Sequence, residues 1–270
     1  MEEVFFAFAL TLFAGLSTGI GSALAFFTKK TNTKFLSISL GFSAGVMIYV
    51  SMIEIFAEAR NLLSLELGYK LGSWVTVGAF FAGMLIIAFI DKLIPSAENP
   101  HEIYKVEELK EVPSDIPKSN DKLLRTGLIT ALAITIHNFP EGLATFVSAL
   151  QEPSIAIPIA IAIAIHNIPE GIAVSVPVFY ATGSRKKAFL YSFLSGLSEP
   201  LGAIIGYLVL MPFINNITLG IIFALVAGIM IFISLDELLP SAREYGEHHL
   251  SIYGLVAGMA VMAISLLLFI

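Results

Sequence analysis

The sequence Ile136-His137-Asn138-Phe139-Pro140-Glu141-Gly142 occurs a second time, 29 residues later, as Ile165-His166-Asn167-Ile168-Pro169-Glu170-Gly171. Each copy lies near the middle of a long apolar stretch. An offset of 29 residues is one membrane-spanning helix plus a tight turn, because such a helix needs about 20 residues. The two copies therefore lie on consecutive antiparallel helices, and a two-fold axis would relate them.

The composition places the chain in the membrane class. Of its 270 residues, 57% are hydrophobic and 13% are charged, whereas roughly 25% of a soluble domain is charged. A soluble enzyme and a disordered chain are excluded, and the net charge of −6 argues against a nucleic-acid groove. Because there is no cysteine, disulfides and thiolate metal sites are excluded as well. We predict an all-α polytopic membrane protein in which residues 1–270 form a single transmembrane domain.

Eight stretches are long and apolar enough to be transmembrane helices, and we call them spans 1 to 8. One connection is long and polar, residues 97–122, and it contains His101. In chain order the spans run over approximately Phe5–Phe27, Phe35–Ile55, Trp74–Ile94, Leu123–Leu150, Ile155–Tyr180, Ala188–Ile214, Thr218–Leu239 and Ile252–Ile270.

The basic residues predict the orientation of these spans. The connections after spans 1, 3, 5 and 7 hold 13 of the 15 Lys and Arg residues, and the opposite side holds only Arg60 and Lys70. Because basic loops stay on the cytoplasmic side, we expect residues 97–122 to be cytoplasmic and both termini to be extracytoplasmic. The predicted location is the cell membrane, with several passes through the lipid bilayer.

A weaker repeat relates the two ends of the chain. Residues Gly45–Glu54 of span 2 align with Gly228–Glu237 of span 7 at an offset of 183, and Ala82-Gly83-Met84 aligns with Ala257-Gly258-Met259. The two spans of each pair are five apart in chain order, so they cross the membrane in opposite directions. We predict a 3+2+3 arrangement, in which spans 1–3 are repeated with inverted topology as spans 6–8 around the span 4–5 pair. Inverted repeats of this kind are typical of transporters.

Small residues in spans 1 and 2 predict where helices approach each other closely. The pairs Gly15 with Gly19 and Gly41 with Gly45 have the four-residue spacing that lets two backbones come together.

The polar residues of the first repeat fall where a bilayer opposes them most. His137 and Glu141 are four residues apart and share a helix face, as do His166 and Glu170. Each mid-membrane carboxylate costs about 2.5–3.5 kcal/mol to insert, so a proton or a bound cation must compensate. Imidazole, amide and carboxylate without sulfur favour Zn²⁺, Fe²⁺, Mn²⁺ or Co²⁺. The candidate metal ligands are His137, Asn138, Glu141, His166, Asn167, Glu170 and Glu199.

Three prolines accompany these ligands. Pro140, Pro169 and Pro200 have no N–H, so each leaves the carbonyl four residues earlier without its helical donor. Broken helices at mid-membrane are tolerated where the gap lines a cavity or holds an ion. We therefore expect helix breaks beside the ligands.

The chain resembles the ZIP family of divalent-metal transporters. The resemblance covers essentially the whole chain and rests on the duplicated motif, on the eight-span plan, and on the segments Ser195–Pro200 and Asp236–Pro240. It implies a two-metal transport site on spans 4, 5 and 6, bridged by Glu141 and Glu170. By this resemblance one metal would be held by His137, Glu141, His166 and Glu170, and the other by Asn138, Glu141, Asn167, Glu170 and Glu199.

Further acidic residues and a histidine lie near the ends of spans. Glu54 is near the outer end of span 2, Asp236 and Glu237 are near the inner end of span 7, and His248 precedes span 8. We hypothesise that these four residues act as gates or line the pathway. Solvated helix ends are the alternative interpretation.

Three functions are compatible with these residues. The leading interpretation is uptake of zinc, and of iron(II), manganese and cobalt, into the cytoplasm by rocking of spans 1–3 and 6–8 against spans 4–5. The alternatives are an intramembrane two-metal hydrolase and a structural protein with a buried polar network. The chain has no ATP-binding P-loop. The interpretation includes no enzyme activity, no resident cofactor and no nucleic-acid partner, and it leaves a homodimer open.

Overall fold

The computed structural model describes residues 2–25, 33–93, 117–151, 153–210, 213, 215–245 and 248–267. Within these ranges the regular structure is helical. The predicted loop with His101 lies largely outside the described residues. The α-helices are α1 (Glu2–Ala25), α2 (Thr33–Tyr49), α3 (Phe56–Leu67), α4 (Tyr69–Leu93), α5 (Pro117–Gln151), α6 (Pro153–Thr182), α7 (Arg185–Gly196), α8 (Ser198–Ile205), α9 (Asn216–Ile233), α10 (Leu239–Tyr245) and α11 (His248–Leu267).

Six helical segments among the described residues are long and apolar enough to cross a membrane. They coincide with predicted spans 1, 2, 3, 6, 7 and 8, and spans 4 and 5 fall on α5 and α6. The outer surface of the helices is rich in large apolar side chains, including Phe5, Trp74 and Leu85, each at least 70% exposed. Such a surface suits lipid, and a multi-pass membrane protein follows from it.

Two spans extend beyond their predicted ends. Span 2 was predicted to end at Ile55, but α3 continues the helix to Leu67, and span 7 continues through α10 to Tyr245. The charges of residues 56–67 interrupt the apolar run. The helix persists because Ala59, Leu62 and Leu63 are buried along one face at helical spacing. Residues 117–122, predicted as loop, are the first turns of α5.

Both copies of the weaker repeat contain the same uncommon backbone feature. A π-helical turn, Val50–Ile55, joins α2 to α3, and another, Ser234–Leu238, joins α9 to α10. The offset of 183 places one on the other. Since π-helical turns are rare, their coincidence supports the sequence match between spans 2 and 7. A further π-helical turn, Gly206–Leu210, follows α8.

Close backbone contacts and a few side-chain hydrogen bonds assign the described helices to two groups. At most of the glycines that touch another helix, an added Cβ would overlap that helix's backbone, so no larger residue fits there without movement. These contacts join α1 to α6 and α7, and α5 to α8; the Asn167 side chain links α6 to α1 and α8, and we call these five helices the site group. The backbone contacts also join α2 to α11, and α4 to α3 and α9; the Ser37 hydroxyl links α2 to α10, and we call these six helices with the π-helical turns Val50–Ile55 and Ser234–Leu238 the framework group. None of the described glycines makes such a contact between the two groups.

Predicted small-residue contacts fall within this division. Gly15 of α1 packs on the Gly196 carbonyl of α7, whereas Gly41 and Gly45 of α2 pack on carbonyls of α11. Gly19 lies against the ring of Phe193. The spacing therefore predicted the contacts but not which helix would be the partner.

The prolines break only one helix. Helices α5 and α6 continue without interruption past Pro140 and Pro169, so the breaks expected there are absent. The interruption that does occur is at Leu197, between α7 and α8, three residues before Pro200. It places Glu199 in the first turn of a new helix.

Candidate metal site

The glycine of each repeated motif brings a neighbouring helix against the adjacent glutamate. A Cβ on Gly142 would overlap the backbone of Glu199, and one on Gly202 of α8 would overlap the Phe139 carbonyl. The second copy makes the same contact with a different helix: Gly171 meets the Thr18 carbonyl of α1, and Gly21 meets the Ile168 carbonyl. Glu141 is therefore next to α8, and Glu170 is next to α1.

Buried hydrogen-bond donors and acceptors from α5, α6 and α8 lie together beside these contacts. The described side chains of the predicted ligand set are each no more than 2% exposed. They are Asn138, Glu141, His166, Asn167, Glu170 and Glu199.

Two side-chain pairs connect the helices. His166 Nε2 lies 3.1 Å from Glu141 Oε1, so the pair joins α6 to α5. Asn167 Nδ2 donates to Glu199 Oε1 of α8, and it also donates to the Ala14 carbonyl of α1 at 3.0 Å. The Asn167 amide thus holds α6, α8 and α1 together at one point.

Several polar atoms have no hydrogen-bond partner among the described residues. They are both side-chain polar atoms of Asn138, together with Glu141 Oε2, Asn167 Oδ1 and Glu199 Oε2. A buried polar group left unsatisfied costs about 1–3 kcal/mol, and more when it is charged. The Glu199 carboxylate is also close enough to Glu141 and Glu170 for their charges to interact. This concentration of acceptors is suited to a cation.

The described side chains of the predicted ligand set do not form a complete metal-coordination site. Among them, no three from His, Asp and Glu are grouped closely enough to hold a metal ion by themselves. The His137 side chain lies outside the described residues, so its contribution stays a prediction. The arrangement is therefore two pairs, His166 with Glu141 and Asn167 with Glu199, with Asn138 and Glu170 buried beside them.

The predicted gate residues are at some distance along the chain from this cluster. Glu54 is half-buried within the π-helical turn Val50–Ile55, and Asp236 is exposed within the turn Ser234–Leu238. The side chains of Glu237 and His248 lie outside the described residues. The gate hypothesis stays a prediction for all four residues.

The contribution of α1 was not predicted from the sequence. Helix α1 contains no charged residue beyond Glu2 and Glu3, and nothing in its composition marks it as part of a polar site. A usable signal was present, however, because Gly15-Leu16-Ser17 in span 1 recurs as Gly196-Leu197-Ser198 immediately before Glu199.

The fold defines a polytopic membrane protein with a buried acidic cluster, and comparison with known proteins identifies its class. The family described as ZIP zinc transporter matches residues 6–266. The chain therefore belongs to the ZIP family, as the repeated motif predicted. This is a family of transporters, so the interpretation as a hydrolase is set aside.

Curated relatives are similar over the full chain. A protein of Clostridium perfringens named zinc transporter ZupT is 67% identical, over 100% of this chain and 98% of its own length. A protein of Streptococcus mutans with the same name is 68% identical, over 100% of this chain and 99% of its own length. That of Oceanobacillus iheyensis is 64% identical, over 99% of each chain.

Proposed function

We propose that this chain takes up zinc across the cell membrane into the cytoplasm, through the buried cluster on α5, α6 and α8. The observation that carries the proposal is the burial of Glu141, Glu170 and Glu199 together, in a protein whose outer surface is apolar. Three carboxylates in one place repel one another, and a divalent cation would relieve that repulsion. The relatives named as zinc transporters support zinc as the cargo.

Other divalent cations fit the same donors. Nitrogen and oxygen ligands without thiolate accept iron(II), manganese and cobalt as well as zinc, so we propose broad selectivity. The cations are cargo, and we propose no resident cofactor.

We also propose that the cluster holds two metal ions. The resemblance to the family assigns one ion to His137, Glu141, His166 and Glu170, and the other to Asn138, Glu141, Asn167, Glu170 and Glu199. The observed pairing of His166 with Glu141, and of Asn167 with Glu199, supports two adjacent positions rather than one. Measuring bound zinc per purified chain tests this proposal: two equivalents are expected for the wild type and one for Asn167→Ala. A single equivalent in the wild type would contradict it.

The division into two groups suggests which parts move. From the sequence we expect spans 1–3 and 6–8 to rock against spans 4–5. Helix α1 instead makes close backbone contacts with α6 and α7, and α8 makes them with α5, so we propose that the site group moves as one body against the framework group. We further propose eight membrane crossings with inverted repeats, both termini extracytoplasmic, and a homodimer as an oligomeric state to be tested.

Uptake by the purified protein in liposomes tests the function directly. Zinc is expected to accumulate down its gradient in wild-type vesicles, and Glu141→Ala is expected to abolish accumulation. Glu66→Ala is the matched control, because Glu66 is an exposed carboxylate at the far end of α3 that accepts from Asn216 at 2.8 Å. Competition by iron(II), manganese and cobalt in the same vesicles measures selectivity. The proposal is wrong if wild-type vesicles take up no more zinc than empty ones, or if Glu141→Ala matches wild type.

A further inference from the structure

A pseudo-two-fold relation places Thr18 of α1 opposite Glu199 of α8. The motif offset of 29 residues maps Phe139 and Gly142 onto Ile168 and Gly171. An offset of 181 residues maps α1 onto α7 and α8, and each mapped pair makes the corresponding backbone contact. The pairs are Gly15 with Gly196, Thr18 with Glu199 and Gly21 with Gly202.

The Gly15–Gly196 contact is reciprocal, as expected for residues near the axis. A Cβ on either glycine would overlap the carbonyl of the other. On one side of this contact Glu199 presents a carboxylate, and on the other side Thr18 presents a hydroxyl. A Cβ on Gly196 would come within 2.8 Å of Thr18 Oγ1, so the hydroxyl lies directly against α7, three residues before Glu199.

The Thr18 hydroxyl differs from its neighbours on the same helix. Thr11, Ser17 and Ser22 are buried, and each donates to a carbonyl of α1, at 3.0, 2.6 and 3.1 Å. Thr18 is also fully buried, but its Oγ1 has no hydrogen-bond partner among the described residues.

The reason is that its usual acceptor is already occupied. A helical threonine normally donates to the carbonyl four residues earlier, which here belongs to Ala14. That carbonyl accepts from Asn167 Nδ2 at 3.0 Å and from Ser17 Oγ at 2.6 Å. The helical N–H of Thr18 is directed at the same oxygen, so the Ala14 carbonyl is crowded by three donors and the Thr18 hydroxyl forms no bond to it. The same Asn167 amide binds Glu199, so the hydroxyl is freed by a contact of the metal site itself.

We propose that Thr18 is a further ligand of the cation, contributing a neutral hydroxyl oxygen where the symmetry-related position contributes the Glu199 carboxylate. This inference rests on the proposed function, because it assigns an additional group to the same site. A neutral ligand on the α1 side adds an oxygen without adding a fourth negative charge. A fourth carboxylate would raise affinity for a divalent cation and slow its release.

Substitution of Thr18 separates the hydroxyl from the shape of the side chain. Thr18→Val keeps the volume and removes the oxygen, so the KM for zinc uptake in liposomes is expected to rise about tenfold. Thr18→Ser keeps the oxygen and is expected to stay within about twofold of wild type. Thr11→Val is the matched control, because Thr11 is a buried threonine of the same helix that donates to its own helix. It is expected to leave KM unchanged.

Zinc binding to the purified protein in detergent gives a second readout. Thr18→Val is expected to weaken binding by the same factor as KM, whereas a purely structural role would lower melting temperature and leave affinity of the folded fraction unchanged. If Thr18→Val cannot be purified, Thr18→Ala replaces it with the same expectation. A wild-type KM and affinity in the Val or Ala variant would overturn the inference, and so would failure of Thr18→Ser to restore them. If uptake depends on Glu141 but not on Thr18, this inference fails and the proposed function stands.

Discussion

The site group and the framework group bury different kinds of polar residue. Every carboxylate, amide and imidazole that is buried among the described residues belongs to the site group. The buried polar residues of the framework group are all hydroxyls, and they are Ser37, Ser43, Ser51, Thr76, Ser234 and Ser251. Thr76 and Ser234 donate to carbonyls of their own helices, which costs a helix little, whereas a buried carboxylate needs a specific partner.

Both groups are nevertheless assembled in the same way. In each, glycines allow helix backbones to touch, as Gly142 does at Glu199 and Gly228 does at Phe80. Close packing alone therefore does not mark the functional part of the molecule. The groups differ in the residues that their helices enclose. The framework group encloses an apolar core, and the site group encloses the acidic cluster.

The largest expected effect comes from removing a charge from the site group. Glu199→Gln keeps the shape of the side chain and an oxygen that can accept from Asn167, so the fold is expected to persist. Zinc uptake is expected to fall by about a hundredfold, since a charged ligand bond is worth about 1.5–3 kcal/mol and the cation also loses a neutralising charge. Uptake in liposomes measures this effect, with Glu66→Gln as the framework control. Equal losses in the two variants would show that the comparison between the groups has no functional meaning.

Glycine substitutions separate packing from function. Gly142→Ala and Gly228→Ala each place a methyl group against a neighbouring backbone, so both are expected to lose about 1–3 kcal/mol of stability. Only Gly142→Ala displaces Glu199 from Glu141, so it alone is expected to lower the uptake rate of the folded protein, by about tenfold. Thermal unfolding and uptake are measured on the same preparations.

Gly78→Ala is the matched control for both substitutions, because a Cβ at Gly78 meets nothing within 4 Å. It is expected to match or exceed wild-type stability, since alanine favours a helix by about 1 kcal/mol over glycine. Loss of uptake in Gly228→Ala equal to that in Gly142→Ala would contradict the division into groups.

Much of this organisation could be predicted from the sequence. The spans follow from apolar length, and the buried polar cluster follows from polar residues placed near the middle of apolar stretches. The repeat Gly45–Glu54 with Gly228–Glu237 is matched in the structure by two π-helical turns at equivalent positions, which the sequence did not predict. Span length and the position of a polar residue within a span are local properties, so they can be predicted from a short stretch of sequence.

The partners of each residue could not be predicted in the same way. The four-residue spacing places His166 and Glu170 on one helix face, but it does not show that His166 lies 3.1 Å from Glu141 on another helix. Likewise, nothing in span 1 shows that the Ala14 carbonyl accepts from Asn167. Such contacts depend on how helices are arranged around one another, and helical periodicity gives only the face that a residue occupies.

Cross-links inside each group test whether the groups move as bodies. The chain has no cysteine, so a pair introduced at Ser22 and Ser192, whose hydroxyls are hydrogen-bonded to each other, would be the only thiols. A disulfide at this site-group contact is expected to leave the uptake rate within about twofold, because a short cross-link costs nothing where no relative motion occurs. Uptake before and after reduction provides the comparison.

A second cross-link examines the framework group. The Ser37 hydroxyl donates to the Ala242 carbonyl at 2.6 Å, so cysteines at these two positions join α2 to α10. This disulfide is also expected to be tolerated. Arrest of transport by either cross-link, reversed on reduction, would show that helices move within a group.

The smallest expected effect concerns the start of α9. Asn215 accepts from the backbone N–H groups of Ile217 and Thr218 at 3.0 Å each, and the Thr218 hydroxyl accepts from the Asn215 backbone at 2.9 Å. This capping box satisfies N–H groups that a helix otherwise leaves without partners. Asn215→Ala is therefore expected to cost about 1 kcal/mol of stability, and its zinc uptake should not change because the framework group contains no proposed ligand. Asn215→Asp keeps the acceptor and should retain wild-type stability in the same thermal unfolding measurement. A change in the KM for zinc in Asn215→Ala would mean that the framework group influences the metal site through more than its packing.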